Sequence, residues 1–569
     1  MAASIASLLV YNVRTNRIDI HEAKGEVEQD VLFSKWNSFS RITVQGDLAA
    51  SRAEIKIDAD AATSIVRNGG DIEGHEYQRN TIEALAYHLK KDGNVLIIGP
   101  GGGNDVMAAR VFGMKRITAV EVNPIIARNV MSSEPFKSYS GSIYQQPEVH
   151  LAVDEGRSFI RSSSNRYDII QATMVDTWAA TAAGAFALTE NNLYTVEAFK
   201  DYINHLNPDG VLTMTRWYFD PPDQLLRLIS ITREAMDELG IDDAQNHIMI
   251  VRRDFGDYTD RTAATYLFKK TAFTDSDVSE IENTARANGF IVVYTPRTRP
   301  QNLITELIAS PKPSALRGSF EDNINPSTDN NPFFFNSVKV SHLSQVVRGK
   351  GEWAKTNLGT LVLFALFLIT AVMVLLFIVG PLFITQGRAL ATRTSTKLWY
   401  LAYFACLGAG FIIVEVAMIQ KFILFLGHPV YSLTVVLFSL LTFSGLGSYF
   451  SKTFDEDRLP SLLLRVIAIL VALVFVYIVA LPPIFYGLVQ LARPIRIVIA
   501  VVLMAPIATV MGMPMPAGIK VLNRHMPGII PWAWGVNGAT SVMGSVAALA
   551  IALLTGFNQA LVVGAVLYT

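Results

Sequence analysis

Apolar and polar positions follow two different regimes along this 569-residue chain. Up to about residue 357, short apolar runs are broken by charged residues, glycines and asparagines. Beyond it, apolar runs follow one another with only short polar breaks, and they reach the roughly 20 residues that cross a bilayer. In the first regime, residues 7–13, 39–44 and 54–57 are β-rich runs separated by Gly, Asn and Asp, which predicts a small antiparallel unit over residues 1–70. From residue 81 the pattern changes to a helix (81–89), a strand (94–98), a glycine loop and a second helix (105–112) closed by Gly113. Strands at 116–120, 149–153, 167–171 and 211–215 follow, with helical or loop material between them. That alternation predicts βαβ units and a mostly parallel sheet, an α/β domain over 71–324. Residues 247–251 and 264–268 read as a late antiparallel pair. Asp275 or Ser276 then caps a helix to about residue 288, before a strand at 290–294. The Pro, Asn and Asp of 325–332 open a linker, 325–357.

The second regime predicts an all-α transmembrane bundle over 358–569. Its spans lie near 358–379, 398–424, 430–450, 462–484, 495–513 and 532–554. A last apolar run, 560–568, is too short to cross and reads as the stub of a truncated chain. Lys and Arg are shared evenly between the loops of the two faces, so the positive-inside bias does not orient the bundle. The N-terminus MAASIASLLVYNV has neither a basic leader region nor a cleavage pattern, which argues that the water-soluble part stays in the cytoplasm.

Composition narrows the chemistry. A net charge of -1 without a long Lys/Arg block leaves no electrostatic footprint for nucleic acid. A single cysteine, Cys406, excludes an intrachain disulfide and a thiolate metal site. No Cys/His/Asp cluster with ligand spacing supports a metal.

The strongest local signal is the apolar strand that ends in Gly99-Pro100-Gly101-Gly102-Gly103-Asn104-Asp105 and opens a helix. Glycines there let the backbone pass close to a ligand, at the positive end of a helix. Glu121, near the end of the next strand, is placed to accept both hydroxyls of a ribose. Asp154-Glu155-Gly156-Arg157 follows a third strand, where an acid takes an adenine amino group. Gly99, Gly101, Gly102, Gly103, Asp105, Glu121, Asp154 and Glu155 therefore form the candidate nucleotide site. A dinucleotide fingerprint needs glycine at position 104, where this chain has Asn104, and the spacing G-x-G-x-G fits adenosyl-sulfonium binders better. A glycine turn that binds nothing is the bland rival, disfavoured because loop, helix start and spaced acid coincide. Within the apolar part, Glu415 reads either as a buried functional group or as a structural contact to Asn537, Gln420 or Lys421. His428 beside Pro429 reads as a turn residue at the membrane edge. Gly445, Gly447, Gly538 and Gly544 read as close helix packing.

These motifs are joined by Trp36-Asn-Ser-Phe-Ser-Arg41, Tyr167-Asp168-Ile-Ile, Ala187-Leu-Thr-Glu190 and Thr328-Asp329-Asn-Asn-Pro332-Phe-Phe-Phe335. Phe425-Leu-Gly427-His428-Pro429 and Pro531-Trp532-Ala-Trp534-Gly-Val-Asn537-Gly538 extend the set. Together they resemble the spermidine synthase (polyamine aminopropyltransferase) family, in its bacterial membrane form with major-facilitator-like segments. The resemblance implies a Rossmann-like domain that uses S-adenosylmethionine or its decarboxylated form as substrate and an amine or polyamine as acceptor. It also implies a multi-pass protein of the inner membrane with its soluble domain in the cytoplasm, no metal, and an oligomeric state left open. The family's Asp-Ser-Ser-Asp segment, whose first aspartate helps deprotonate the amine, here reads Thr173-Met174-Val175-Asp176. Thr173 thus stands at the base position, and Asp176 is the remaining catalytic candidate. The family's Asp-Gly-x-x-Gln stretch is altered to Asp58-Ala-Asp60-Ala-Ala62, and Asp58 or Asp60 is a further substitute. Two functions stay open: a membrane-bound aminopropyl- or methyltransferase, and a non-catalytic nucleotide sensor that regulates a transporter-like bundle. An NAD-dependent oxidoreductase is a third, weakened by Asn104.

Overall fold

The computed structural model describes residues 20–38, 40–175, 190–219, 221–254, 262–339, 358–390, 395–427, 429–455 and 458–569, with Ser7, Tyr11 and Ser341. The run expected as a strand at 7–13 lies largely outside them, as do Phe39, Asp176, residues 177–189 and His428.

Period-two alternation builds the first unit. Strands β1 (Val31–Trp36), β2 (Arg41–Gly46), β3 (Arg52–Ile57) and β4 (Ala61–Val66) pair in sequence order as a four-stranded antiparallel sheet. Ile42, Val44, Ile55 and Ile65 are fully buried beneath it, each adding about 1.5 to 3 kcal/mol of apolar burial.

The second unit is an eight-stranded mixed sheet. After helix α1 (Leu85–Leu89) come β5 (Asn94–Ile98), α2 (Asn104–Val111), β6 (Arg116–Val120) and β7 (Val149–Ala152). They are followed by α3 (Gly156–Ser162), β8 (Tyr167–Thr173), α4 (Val196–His205), β9 (Leu206–Tyr218) and α5 (Asp223–Leu239). The unit ends on β10 (Ile248–Asp254), β11 (Thr262–Lys269), α6 (Asp275–Ala287) and β12 (Ile291–Tyr294). The spatial order is β12-β10-β11-β9-β8-β5-β6-β7. Strands β9, β8, β5, β6 and β7 are parallel neighbours, and the last three to form are antiparallel. This is the expected α/β class, with its antiparallel pair where the sequence placed it. The cap of α6 differs: the Thr274 side chain receives the Asp277 amide in a capping box, so Asp275 and Ser276 lie inside the helix.

Among the described residues, six helices are long and apolar enough to cross a membrane: Gly359–Thr385, Thr396–Leu426, Pro429–Thr453, Leu459–Leu488, Arg493–His525 and Pro527–Thr555. A shorter apolar helix, Phe557–Tyr568, follows and packs back into the same core. Two of the four glycines expected at helix contacts are there. A Cβ on Gly447 would sit 1.9 Å from the Thr509 carbonyl oxygen, and one on Gly544 would meet Ile412 and Ala409. Gly445 and Gly538 face open space, so close packing does not explain them. Asn537 donates its side-chain amide to the Phe404 carbonyl at 3.1 Å.

The polar segment expected as a linker is packed between the two units. Phe334 lies in the core of the α/β unit, whereas Phe333 lies in the core of the bundle. The Asn330 carbonyl accepts from Phe557 N at 2.8 Å, its side-chain oxygen accepts from Asn558 N at 2.7 Å, and Asn331 donates to the carbonyls of Ala552 and Leu553. On the other side, Asp329 pairs through both carboxylate oxygens with Arg157, a guanidinium with no solvent exposure. Arg157 also donates to Asp201 and Thr195, each at 3.1 Å. Burial pushes the Asp329 carboxyl up, but Arg157 and the Thr195 hydroxyl more than reverse this and hold it below the ordinary carboxylate range. The α/β unit touches the helices directly as well: Ser158 donates to the Leu424 carbonyl at 3.1 Å, and Arg161 lies over the Tyr486 ring.

Removing Asp329 takes the two-oxygen partner from the buried Arg157 and leaves Asp201 as its remaining acid. Asp329→Asn is therefore expected to destabilise the full chain by about 1 to 3 kcal/mol at pH 7, read as a lower unfolding midpoint in detergent micelles. Because the folded-state carboxyl lies below its ordinary range, the wild-type advantage is present above the unfolded value and disappears as pH falls through the folded one. An unchanged midpoint at pH 7 would remove Asp329 from this role.

Candidate active site

Chain order reverses between β5 and β8, and in an open α/β sheet the crevice at the carboxyl ends of the strands flanking that reversal is where ligands bind. The Gly99 loop leaves β5 at that point, with Gly99 at φ +68°, and a Cβ there would lie 3.1 Å from Val175 at the end of β8. Glu121, just beyond β6, is buried to 4% exposure. Its carboxylate accepts from Asn123 N at 2.8 Å and Gly101 N at 3.2 Å. The acid therefore ties two loops together at the mouth of the sheet. Burial pushes Glu121 up to about 6, opposed by these backbone amides. It is ionised at neutral pH and remains an acceptor.

The remaining loop glycines meet other parts of the chain, Gly102 its backbone and Gly101 and Gly103 side chains. A Cβ on Gly102 would lie 2.0 Å from the Ser64 carbonyl oxygen, so strand β4 rests on the loop and only glycine fits beneath it. Gly102 N donates to the Thr63 hydroxyl at 3.3 Å, and a Cβ on Gly101 would meet the same side chain. Asn104, which breaks the dinucleotide pattern, donates to the Ser64 carbonyl at 2.9 Å. Gly103 caps α2 at φ +91° against Ile143. The loop is thus shaped by the N-terminal sheet that lies over it.

Asp105 and the two acids after β7 have surroundings other than the expected ones. Asp105 turns inward, 9% exposed, against the hydroxyl of Thr173. Burial pushes its carboxyl up to about 7, the Thr173 hydroxyl opposes this, and Glu83 adds to it. Asp154, expected over an adenine, is held by Arg493 of the bundle at 2.8 Å and by the Glu155 amide at 2.9 Å. Glu155 caps α3 by accepting from the amides of Arg157 and Ser158. Asp58 accepts from Arg41 N at 2.8 Å, and Asp60 pairs with Lys24 at 3.2 Å, so both are engaged in the N-terminal sheet. Glu190 is raised by burial to about 8 and is neutral at pH 7.

Sequence reasoning passed over His75, Asn68 and Gln78. They line a cleft with Gly102, Gly103 and Asn104. His75 Nδ1 and Asn68 Nδ2 are buried without a hydrogen-bond partner among the described residues. His75 and Gln78 sit in a 3-10 stretch, Glu73–Asn80, whose pattern carries no period to draw the eye.

Residues 75–222 match the spermine/spermidine synthase domain. Over 188 residues the chain is 21% identical to a polyamine aminopropyltransferase of Oceanobacillus iheyensis, covering 32% of this chain and 33% of that protein. It is 22% identical over 195 residues to the polyamine aminopropyltransferase of Korarchaeum cryptofilum, covering 34% of this chain and 55% of that protein. The match thus spans a third to about half of these relatives' length. Among solved structures, a probable spermidine synthase from Corynebacterium glutamicum aligns with a TM-score of 0.36 and 19% identity, over 50% of this chain and 95% of that one.

If Glu121 is the ribose acceptor, Glu121→Gln is expected to weaken binding of S-adenosylmethionine or its decarboxylated form by about 1 to 3 kcal/mol in calorimetry. Wild-type affinity should also fall as pH drops through about 6, because the acid then becomes protonated. Equal affinities and identical pH profiles would show that the acid serves the loops alone.

Proposed function

We propose, on the premise that this chain carries a spermine/spermidine synthase domain, that it transfers an aminopropyl group from decarboxylated S-adenosylmethionine to an amine. The observation that carries the reading is that the crevice at the β5/β8 reversal, with the Gly99 loop, Asp105, Glu121 and Thr173, falls wholly inside the matched residues 75–222. In this reading Glu121 orients the adenosyl group through its ribose. The sulfonium-bound methylene then faces the ends of β5 and β8. There the amine nitrogen attacks, the C–N bond forms, the C–S bond breaks, and a neutral thioether leaves. The mixed sheet and its N-terminal cover position the reactants, which is the larger part of what such a displacement needs.

The domain works, on this reading, from the cytoplasmic face of a bacterial inner membrane, where its nucleotide is made, and six apolar helices hold it there. Methyl transfer from S-adenosylmethionine is the finer alternative within the same pocket. A nucleotide sensor is favoured by one observation: Asp154, whose place after a strand suits the adenine, is bonded to Arg493 of the bundle.

One measurement separates the three. The purified full chain in detergent, given decarboxylated S-adenosylmethionine and putrescine, is expected to release methylthioadenosine and spermidine in equal amounts. S-adenosylhomocysteine formed from S-adenosylmethionine instead would establish methyl transfer, and tight nucleotide binding with no product would establish the sensor.

A further inference from the structure

Two buried guanidinium groups of the α/β unit are well matched. Arg157 meets two acids, and Arg227 donates to the carbonyls of Asn325, Phe334 and Asn336. Arg496, in the bundle, is different. It is 5% exposed, its Nη1 donates to the Phe425 carbonyl at 2.8 Å, and its Nε is buried with no acceptor among the described residues. The ion pair beside it belongs to Arg493 and Asp154, and none joins Arg496 to an acid among the described residues. A buried cation of this kind is costly until an anion compensates it.

Arg496 stands in a seam where α3 meets one edge of the bundle. Residues 154, 158 and 161, at α3 and just before it, recur at the spacing of one helix face. Asp154 accepts from Arg493 at 2.8 Å, Ser158 donates to the Leu424 carbonyl, and the Arg161 guanidinium lies 5.2 Å from the centre of the Tyr486 ring. Arg493 lies over the Tyr431 ring at 5.1 Å. The Nε atoms of Arg161 and Arg493 are, like that of Arg496, buried without a hydrogen-bond acceptor among the described residues. Asp201, which Arg157 also uses, stands 3.6 Å from Arg161 Nε. Three guanidinium groups thus share Asp154 and part of Asp201. The Arg493 side chain is 32% exposed, so the cluster is reached from outside.

The depth of the seam is that of lipid headgroups. Helices Thr396–Leu426 and Leu459–Leu488 end at this edge, and Pro429–Thr453 and Arg493–His525 begin there. Tyr431 and Tyr486, within one turn of the ends of their helices, are well exposed, the station that aromatic residues take where membrane meets water. The helix that Arg493 opens brings its positive end to the same place. Arginines gathered at the ends of spans recognise anionic headgroups, because a guanidinium meets phosphate oxygens through two parallel N–H bonds.

We infer that this seam binds the phosphate of an anionic membrane phospholipid, with Arg161, Arg493 and Arg496 as donors. The lipid supplies the counter-charge that Arg496 lacks and ties α3 to the helices beside it. The site lies outside the transfer chemistry and stands without it.

The test uses the full chain, stripped of lipid in detergent, with phosphatidylglycerol, phosphatidylcholine or inorganic phosphate added. Phosphatidylglycerol is expected to raise the unfolding midpoint progressively with its concentration, and native mass spectrometry should show a single lipid retained. Phosphatidylcholine and inorganic phosphate should leave the midpoint where it is. Arg161→Gln and Arg496→Gln should each weaken phosphatidylglycerol binding by about 10 to 100-fold, the worth of a charged hydrogen bond. Arg465→Gln, near the opposite end of the Leu459–Leu488 helix, should not. Arg161 donates no hydrogen bond among the described residues, so its variant decides the matter if Arg496→Gln does not fold. Equal stabilisation by phosphatidylcholine or by inorganic phosphate overturns the assignment to an anionic lipid. Wild-type binding by Arg161→Gln, or an equal loss in Arg465→Gln, overturns the seam as its site.

Discussion

One buried cation organises this protein. The Arg157 guanidinium has no contact with solvent, and a charge so placed persists only when its donors are used. Its nitrogens reach Asp201 on α4, Thr195 at the cap of that helix, and Asp329 in the segment that leads to the bundle. Those bonds fix α3 against α4 and fix both against residues 327–331, on which the end of the last long apolar helix is hung. Asp154 and Ser158, which grip the bundle directly, lie within one turn of Arg157. The position of the crevice relative to the helices thus follows from this side chain and its acids.

The same economy shapes the crevice. Its glycines answer to the N-terminal sheet above them as much as to any ligand, because β4 lies close enough to exclude a Cβ at Gly102. Glu121 joins the Gly101 and Asn123 loops from within. The amides of Gly99, Gly101, Gly102 and Gly103 are spent on protein acceptors.

Much of this was legible in the residues. The strands at 94–98 and 116–120 and the antiparallel pair after residue 246 announce themselves because fully buried strands are short, continuous and apolar. The six long helices announce themselves by length and hydropathy. What the sequence hid was partnership across distance. Asp154 reads as an adenine ligand because it follows a strand, and nothing near it tells that Arg493 will arrive from 339 residues away. Asp105 reads as part of a loop, and only the fold turns it toward Thr173. His75 and Asn68 carry no motif at all. Residues 325–332 read as a linker because Pro, Asn and Asp are what loops use, although here their side chains serve as the joinery.

Phe333 carries a last consequence. Hydropathy divides the chain near residue 357, yet this phenylalanine belongs to the apolar core on the far side of that line and packs, tilted, with its ring centre 5.8 Å from that of Phe557. The apolar core of the helices therefore reaches back into the more polar part of the chain. A fragment cut at the hydropathy boundary would expose Phe333 as a sticky patch and leave Asn330 and Asp154 without the groups they hold. The complementary fragment would lack the plug that closes its end.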